Sequence, residues 1–285
     1  MQRYRIQHQT RYQFSGQVQL GPHTLRLRPR ESHELRIESS LLDLSPETTI
    51  RWHRDVEDNS VAQATFSLPC YELIINSDVV IQQYNETPLD FLVANYASHY
   101  PFAYAPEDRL ILNPYLTVGQ NDQGGGVAQW LEELRPKGSP VETYVMLSQL
   151  NSMIHGRLTY QVREEPGVQT AQQTLDLGTG SCRDFASLFI SVARQLGLAS
   201  RFVSGYLYVD PAVTPVGATH AWAEVYLPGA GWKGFDPTTN QLVGHQHIPV
   251  AVARTPESVP PVEGSFTGPP GATLSVGVQV RKIDD

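Results

Sequence analysis

From Tyr4 to Phe14 the chain alternates almost without a break. Tyr4, Ile6, His8, Thr10, Tyr12 and Phe14 fall on one side, and Arg3, Arg5, Gln7, Gln9, Arg11 and Gln13 on the other. A period of two puts every second side chain on the same face, so this run is a strand with one packed and one wet face. Leu25/Leu27 against Arg26/Arg28 and Leu35/Ile37 against Arg36/Glu38 repeat the pattern, and Ile50/Trp52 and Val79/Ile81 mark further strands. Ser15-Gly16 and Asp58-Asn59 read as turns between them. Successive short strands without intervening helices imply an antiparallel β-sandwich.

Helices are expected from Thr87. There Thr87-Pro88-Leu89-Asp90 combines an N-cap, a proline at the first helical position and an acid three residues on. Ser139-Pro140-Val141-Glu142 has the same grammar. The helix after it would bury Met146, Leu147, Leu150, Met153 and Ile154 and stop at Gly156. Asn121–Gly126 is the most linker-like stretch before residue 250. A boundary is therefore expected within residues 98–126, giving an α+β protein with a β domain over 1–115 and a second domain over 116–285. The Pro- and Gly-rich residues 253–271 read as a long surface loop, and Leu274, Val276, Val278 and Val280 as a closing strand of the second domain.

Composition narrows the function. Lys and Arg number 21 against 29 Asp and Glu, a net charge of −8, so no strongly basic domain is available for nucleic acid. No apolar run approaches the length of a membrane span, and the first residues lack the apolar stretch of a signal peptide, so the expected compartment is the cytoplasm. Two cysteines, Cys70 and Cys182, exclude by count a disulfide scaffold and a four-cysteine zinc site. In the cytoplasm both thiols stay reduced.

Cys182 lies in Gly180-Ser181-Cys182-Arg183-Asp184-Phe185-Ala186. Ser181 with Asp184 forms a capping-box pattern, so a helix should start at Cys182. Phe185, Leu188, Phe189, Val192 and Leu196 supply its buried face, and Gly197 its stop. The thiol then sits in a first turn, where unpaired N–H groups and the helix dipole favour an anion. Two strands follow, Arg201–Val209 and Thr219–Leu227, and after Pro228-Gly-Ala-Gly231 the chain returns through Trp232–Asp236. His220 and Asp236 thus start near one end of a hairpin. A four-residue loop pairing 227 with 232 would place them on opposite faces, so a loop of odd length or a bulge is expected, with Gly229 and Gly231 supplying the positive φ.

These segments resemble the bacterial transglutaminase-like superfamily, whose members share the fold of papain-like thiol enzymes. GSCRDFASLF, ARQLGLASRFVSGYLY and THAWAEVYLPGAGWKGFDPTTN carry the resemblance over about residues 140–240. RYRIQHQTRYQFSGQVQLGPHTLRLRPR looks like the β-rich domain that precedes the core in these bacterial proteins, and VPPVEG with the final strand also fits. The resemblance implies a papain-like core that carries the cysteine helix on an antiparallel sheet. It also implies Cys182 as nucleophile, His220 as its proton acceptor and Asp236 as the orienting carboxylate. No cofactor or metal follows from it, and no EF-hand-like run is present to bind calcium.

Other candidates have plainer readings. Cys70 follows Leu68-Pro69 and reads as a packing residue. His245 and His247 are spaced to share a strand face, but no further metal ligands are evident nearby. Asp184 reads as a helix cap. Arg183 reads as solvated or, in a cleft, as a partner for a substrate carboxylate. Trp222 would either shield His220 or fill the core, and the Tyr160 hydroxyl could assist an oxyanion. Arg26, Arg28 and Arg30 form a stripe diluted by Glu31 and Glu34, as on a solvated strand face. Three functions stay open: a thiol hydrolase of a peptide, isopeptide or other amide bond in a peptide or protein, toward which size and compartment lean; a transglutaminase that passes the acyl group to an amine; and an inert binding module on the same fold. Oligomeric state is not encoded in these patterns.

Overall fold

The computed structural model describes residues 1–119, 125–135, 138, 140–163, 165–210 and 219–283. The first 83 residues supply β1 (Gln2–Leu20), β2 (His23–Leu25), β3 (Leu35–Ser45), β4 (Thr48–Arg54), β5 (Ser60–Phe66) and β6 (Cys70–Gln83). The alternation of β1 appears as burial: Tyr4, Ile6, His8, Thr10 and Phe14 are buried, while Arg5, Gln9, Arg11 and Gln13 are exposed. Ser15-Gly16 is not a turn. β1 runs through it, and a register shift against β6 between Gln13 and Val18 absorbs the irregularity. Asp58-Asn59 does close the β4–β5 hairpin, with Asp58 at φ 60°.

β1, β6 and β3 lie side by side in one sheet, and β2, β5 and β4 in a second. Phe14, Val18, Leu20, Leu73 and Ile75 of the first sheet pack against Leu25, Ala62 and Ala64 of the second, the packed layers of a sandwich. Cys70 lies in this core, and burial pushes its thiol pKa up.

The remaining chain contributes α1 (Pro106–Leu116), α2 (Gly125–Leu134), α3 (Thr143–Arg157), α4 (Ala171–Leu177) and α5 (Cys182–Gln195), then β7 (Ser200–Leu207), β8 (Thr219–Leu227), β9 (Gly231–Asp236), β10 (Gln241–Leu242) and β11 (His247–Ala253). No helix starts at Thr87: the segment makes only a turn, with the Asp90 N–H on the Thr87 carbonyl. α3 buries the expected Met146, Leu147, Leu150, Met153 and Ile154 but starts at Thr143 and runs past Gly156 to Arg157. Its expected cap Ser139 and linker residues 121–124 lie outside the described residues.

The five strands form an antiparallel sheet in the order β10-β9-β8-β7-β11. The buried face of α5 packs in one core with Ala221, Ala223 and Val225 of β8, where two alanines let the helix approach closely. Phe189 of α5 stacks on Phe235 of β9 at 5.3 Å and 21°, which fixes the helix next to Asp236. Two further contacts tie the sandwich to this sheet. Tyr4, Ile6, Val79 and Ile81 share a core with Tyr206, Ile248 and Val250. His8 Nδ1 also lies 2.9 Å from the Tyr206 hydroxyl.

The C-terminal segment departs from its sequence reading. Residues 253–271 are not a plain loop. β12 (Val262–Glu263) pairs with β2, and β13 (Phe266–Thr267) pairs with β1. β14 (Ala272–Lys282) pairs along β1 from Tyr4↔Lys282 to Phe14↔Ala272. The closing strand, grouped by sequence with the second domain, thus completes the first sheet. Among the described residues no helix is long and apolar enough to cross a membrane.

Candidate active site

α5 presents Cys182 at its first position. The Ser181 N–H and hydroxyl both donate to Asp184 Oδ2, at 2.8 and 2.7 Å. Asp184 is fully buried and does more than cap the helix. It accepts two bonds from Arg163 Nη1 at 2.8 and 2.9 Å and one from the Gln169 N–H at 2.8 Å. Burial opposes its charge, but these donors hold its carboxyl below the usual range. Asp184 thereby fastens the segment around Arg163 and Gln169 to the start of α5.

The β8–β9 hairpin pairs Leu227 with Gly231 and Ala223 with Phe235. Its loop is three residues, Pro228-Gly229-Ala230, with Gly229 at φ 85° and Gly231 at φ 75°. The odd length puts His220 and Asp236 on a common face, as the strand period requires. His220 Nε2 lies 2.8 Å from Asp236 Oδ2. With Nε2 so engaged, Nδ1 is the nitrogen left for Cys182, which lies close enough to push the His220 pKa up.

Asp236 is fully buried and densely coordinated. Oδ1 accepts from the Thr238 and Thr239 N–H groups at 2.9 and 3.3 Å; Oδ2 accepts from the Thr239 hydroxyl at 2.7 Å and lies 3.1 Å from His247 Nε2. Burial disfavours charge on both partners, yet their mutual hydrogen bond prevails. The His220 pKa is pushed up to about 10, with Cys182 adding to the effect, and Asp236 is held far below the ordinary carboxylate range. For His247 burial wins, and its pKa is lowered.

A cleft of about 350 Å³ opens over this constellation. Cys182, His220, Tyr160 and Arg183 all line it. Arg183 is half-buried at the cleft, and its Nη2 donates to the Arg163 and Glu165 carbonyls at 3.4 and 2.5 Å. Trp222 does not reach the cleft. It is wholly buried with Val203 and Val252, its ring 6.1 Å from that of His220, so it backs the imidazole and fills the core at once. The Arg26–Arg30 stripe is spent internally. Arg26 meets the Pro260 carbonyl and Glu263, Arg28 meets Glu31, and Arg30 binds Asn59 and the Glu57 carbonyl.

Two parts of the site escaped the sequence reading. Val259, Pro260 and Pro261 form one wall of the cleft, held to the sandwich by the Arg26 N–H on the Pro261 carbonyl. His247 is the other. His245 falls in the turn before β11, so the two histidines do not share a strand face. His220, Asp236 and His247 bring metal-ligand atom types within 4.8 Å of one another. The Gly244 N–H faces His247 Nδ1 at 3.4 Å, which makes Nε2 the protonated nitrogen and turns its hydrogen to Asp236. That donor set matches a hydrogen-bonded carboxylate rather than a metal cage. The usable signal for Asp236 was Asp-Pro-Thr-Thr, an Asx-turn sequence that folds backbone N–H groups onto the carboxylate.

Residues 130–237 match the transglutaminase-like superfamily model, and residues 4–82 match the bacterial transglutaminase-like N-terminal region. The chain belongs to the transglutaminase-like superfamily. Within it, the uncharacterized protein Rv2569c of Mycobacterium tuberculosis is 31% identical over 298 residues, covering 98% of this chain and 92% of that one. The uncharacterized protein ML0607 of Mycobacterium leprae is 26% identical over 290 residues, covering 99% and 100%. The crystal structure of a putative cysteine protease from Cytophaga hutchinsonii shares the fold, with a TM-score of 0.76 and 18% identity over 100% of this chain and 91% of that chain. The transglutaminase-like core thus comes with its N-terminal β-sandwich, in an α+β architecture.

Proposed function

We propose that this protein is a cysteine-dependent acyl-transfer enzyme that hydrolyses an amide bond in a peptide or protein. The observation that carries the reading is the meeting of Cys182 and His220 at one cleft, with His220 held from behind by Asp236. The Cys182 sulfur attacks the substrate carbonyl carbon while His220 holds the thiol proton. A C–S bond forms, and the carbonyl oxygen takes up negative charge. First-turn N–H groups of a helix have no intrahelical acceptor, so those of Cys182 and Arg183 are suited to meet that charge. The C–N bond then breaks as His220 passes its proton to the departing amine. Water next attacks the thioester, gives a proton to His220, and releases the acid and the thiol. Asp236 keeps the imidazole in the tautomer that serves both steps.

The cleft walls fit this substrate class. Phe202, Val259, Pro260 and Pro261 offer apolar surface for a side chain next to the scissile bond. The test is mass spectrometry of the intact protein after incubation with a panel of acyl-peptide aminocoumarin amides, with and without a labelled primary amine. A thioester on Cys182 and release of free acid are expected. Preferential incorporation of the amine would replace hydrolysis by transamidation. Equal turnover by Cys182→Ala and the wild type would end the assignment.

A further inference from the structure

We infer that His247 is a fourth, positioning member of the constellation: a buried neutral imidazole whose Nε2–H competes with His220 for the same oxygen of Asp236 and so limits how tightly Asp236 holds the proton of His220. This rests on the acyl-transfer reading above, in which His220 must both take and give up a proton.

The geometry is specific. His220 Nε2 and His247 Nε2 approach Asp236 Oδ2 at 2.8 and 3.1 Å. The two rings lie 6.2 Å apart, so they meet at the carboxylate without touching each other. His247 opens β11, two strands away from His220 in the sheet, and it is 2% exposed. Its tautomer is set by the Gly244 N–H on Nδ1, and its ring is held edge-on to Trp222 at 5.3 Å and 79°. Its backbone is fixed as well: the N–H donates to the Gly244 carbonyl at 2.9 Å, and the carbonyl accepts from Gln83 Nε2 of the sandwich at 3.1 Å. The titratable groups that act on His247 are Asp236 from β9, His220 from β8 and His245 from the preceding turn.

The consequence follows from sharing one acceptor. A carboxylate oxygen that already accepts a hydrogen bond carries less charge for the next donor. With His247 in place, Asp236 remains ionised but pulls less strongly on the imidazolium of His220. Without it, His220 becomes the stronger base and the poorer acid, which slows protonation of the departing amine. His247 touches neither substrate nor sulfur in this scheme; it acts through Asp236.

Two readouts test this. In ¹⁵N-histidine NMR of the wild-type protein, His247 should appear as the neutral Nε2–H tautomer at pH 7. A cationic His247, or the Nδ1–H tautomer, would overturn the inference whether or not the protein turns over any substrate. The second readout is the pH profile of Cys182 alkylation by iodoacetamide, mapped by peptide mass to separate it from Cys70, beside the His220 NMR titration. In His247→Leu, which keeps bulk but loses the donor, the alkaline step that reports His220 should move up by about half a pH unit or more. In His247→Gln, whose amide keeps an N–H, it should return most of the way. An unmoved step in folded His247→Leu would overturn the inference, as would equal shifts in both variants. Should His247→Leu not fold, an alkaline step in His247→Gln as high as that expected for the leucine variant would do the same. The hydrolase reading fails separately, if Cys182 forms no acyl-enzyme.

Discussion

The indole of Trp222 occupies the space that a side chain at Gly205 would need: a Cβ there would lie 2.7 Å from Trp222 Cη2 and closer still to the Ile248 carbonyl oxygen. Gly205 pairs with His220 in the sheet, so this bare position on β7 lets the indole lie across the strand and touch His247. Gly205→Ala should therefore destabilise the fold by about 1–3 kcal/mol, through overpacking rather than backbone strain. Any shift of the indole displaces both imidazoles that rest on it. The urea midpoint and the Cys182 alkylation rate, measured on the same variant, should fall together.

Cys182→Ala should lose acyl-enzyme formation altogether, because no second thiol lines the cleft. Asp236→Asn should retain a weaker enzyme, down by about 10²–10⁴-fold in kcat, since the amide favours the wrong imidazole tautomer. Thioester trapping reads the first variant, and steady-state rates on any substrate found read the second.

The His220–Asp236 pair also predicts a pH dependence of stability. The folded His220 pKa is raised from its ordinary 6.5 to about 10, so the folded state binds an extra proton between those values. The stabilisation is complete below pH 6.5 and is lost as pH rises toward 10. Asp236 acts in the opposite sense. Its carboxyl is lowered in the folded state, so its contribution is present above pH 3.8 and disappears as acid protonates the folded group. Thermal melts should show Tm falling by several degrees from pH 6.5 to 10. The slope should flatten in Asp236→Asn, where His220 has lost its anionic partner.

Asp184→Asn removes the charge that Arg163 meets at 2.8 Å while leaving Arg163 only 16% exposed. Breaking one side of a buried pair costs about 3 kcal/mol. The loss should appear in urea midpoints. It should be accompanied by faster proteolysis within residues 160–169, because Asp184 fastens Arg163 and Gln169 to the cysteine helix. Unchanged proteolysis with full activity would mean that the segment is held by other contacts.

Much of the fold was legible in local pattern, and the exceptions have physical causes. Thr87-Pro88-Leu89-Asp90 has the grammar of a helix start, and Leu89, Leu92, Val93 and Tyr96 continue a helical spacing, but tertiary contacts override it. Phe91 and Val93 pack against the core of the second domain, and the Ala94 N–H donates to the Pro228 carbonyl instead of closing a helical turn. Ser15-Gly16 has turn chemistry, yet β1 is paired on both sides, and a bulge keeps those pairings where a turn would forfeit them. His245 and His247 have the two-residue spacing of a shared strand face, but a turn at 245–246 breaks the period before β11 begins at His247.

Residues 180–197 and 219–236 determine locally the start of the cysteine helix, its buried face and the odd hairpin loop that brings His220 and Asp236 to one face. Each depends on a capping pair, a helical period or strand parity, all written within a few residues. Tertiary structure alone decided that β14 would close the first sheet on β1, that Pro256–Pro261 would become a cleft wall, and that His247 would reach Asp236 from two strands beyond His220. These juxtapositions join residues far apart in the chain. Their energies come from sheet pairing and shared burial, which no single segment's pattern contains.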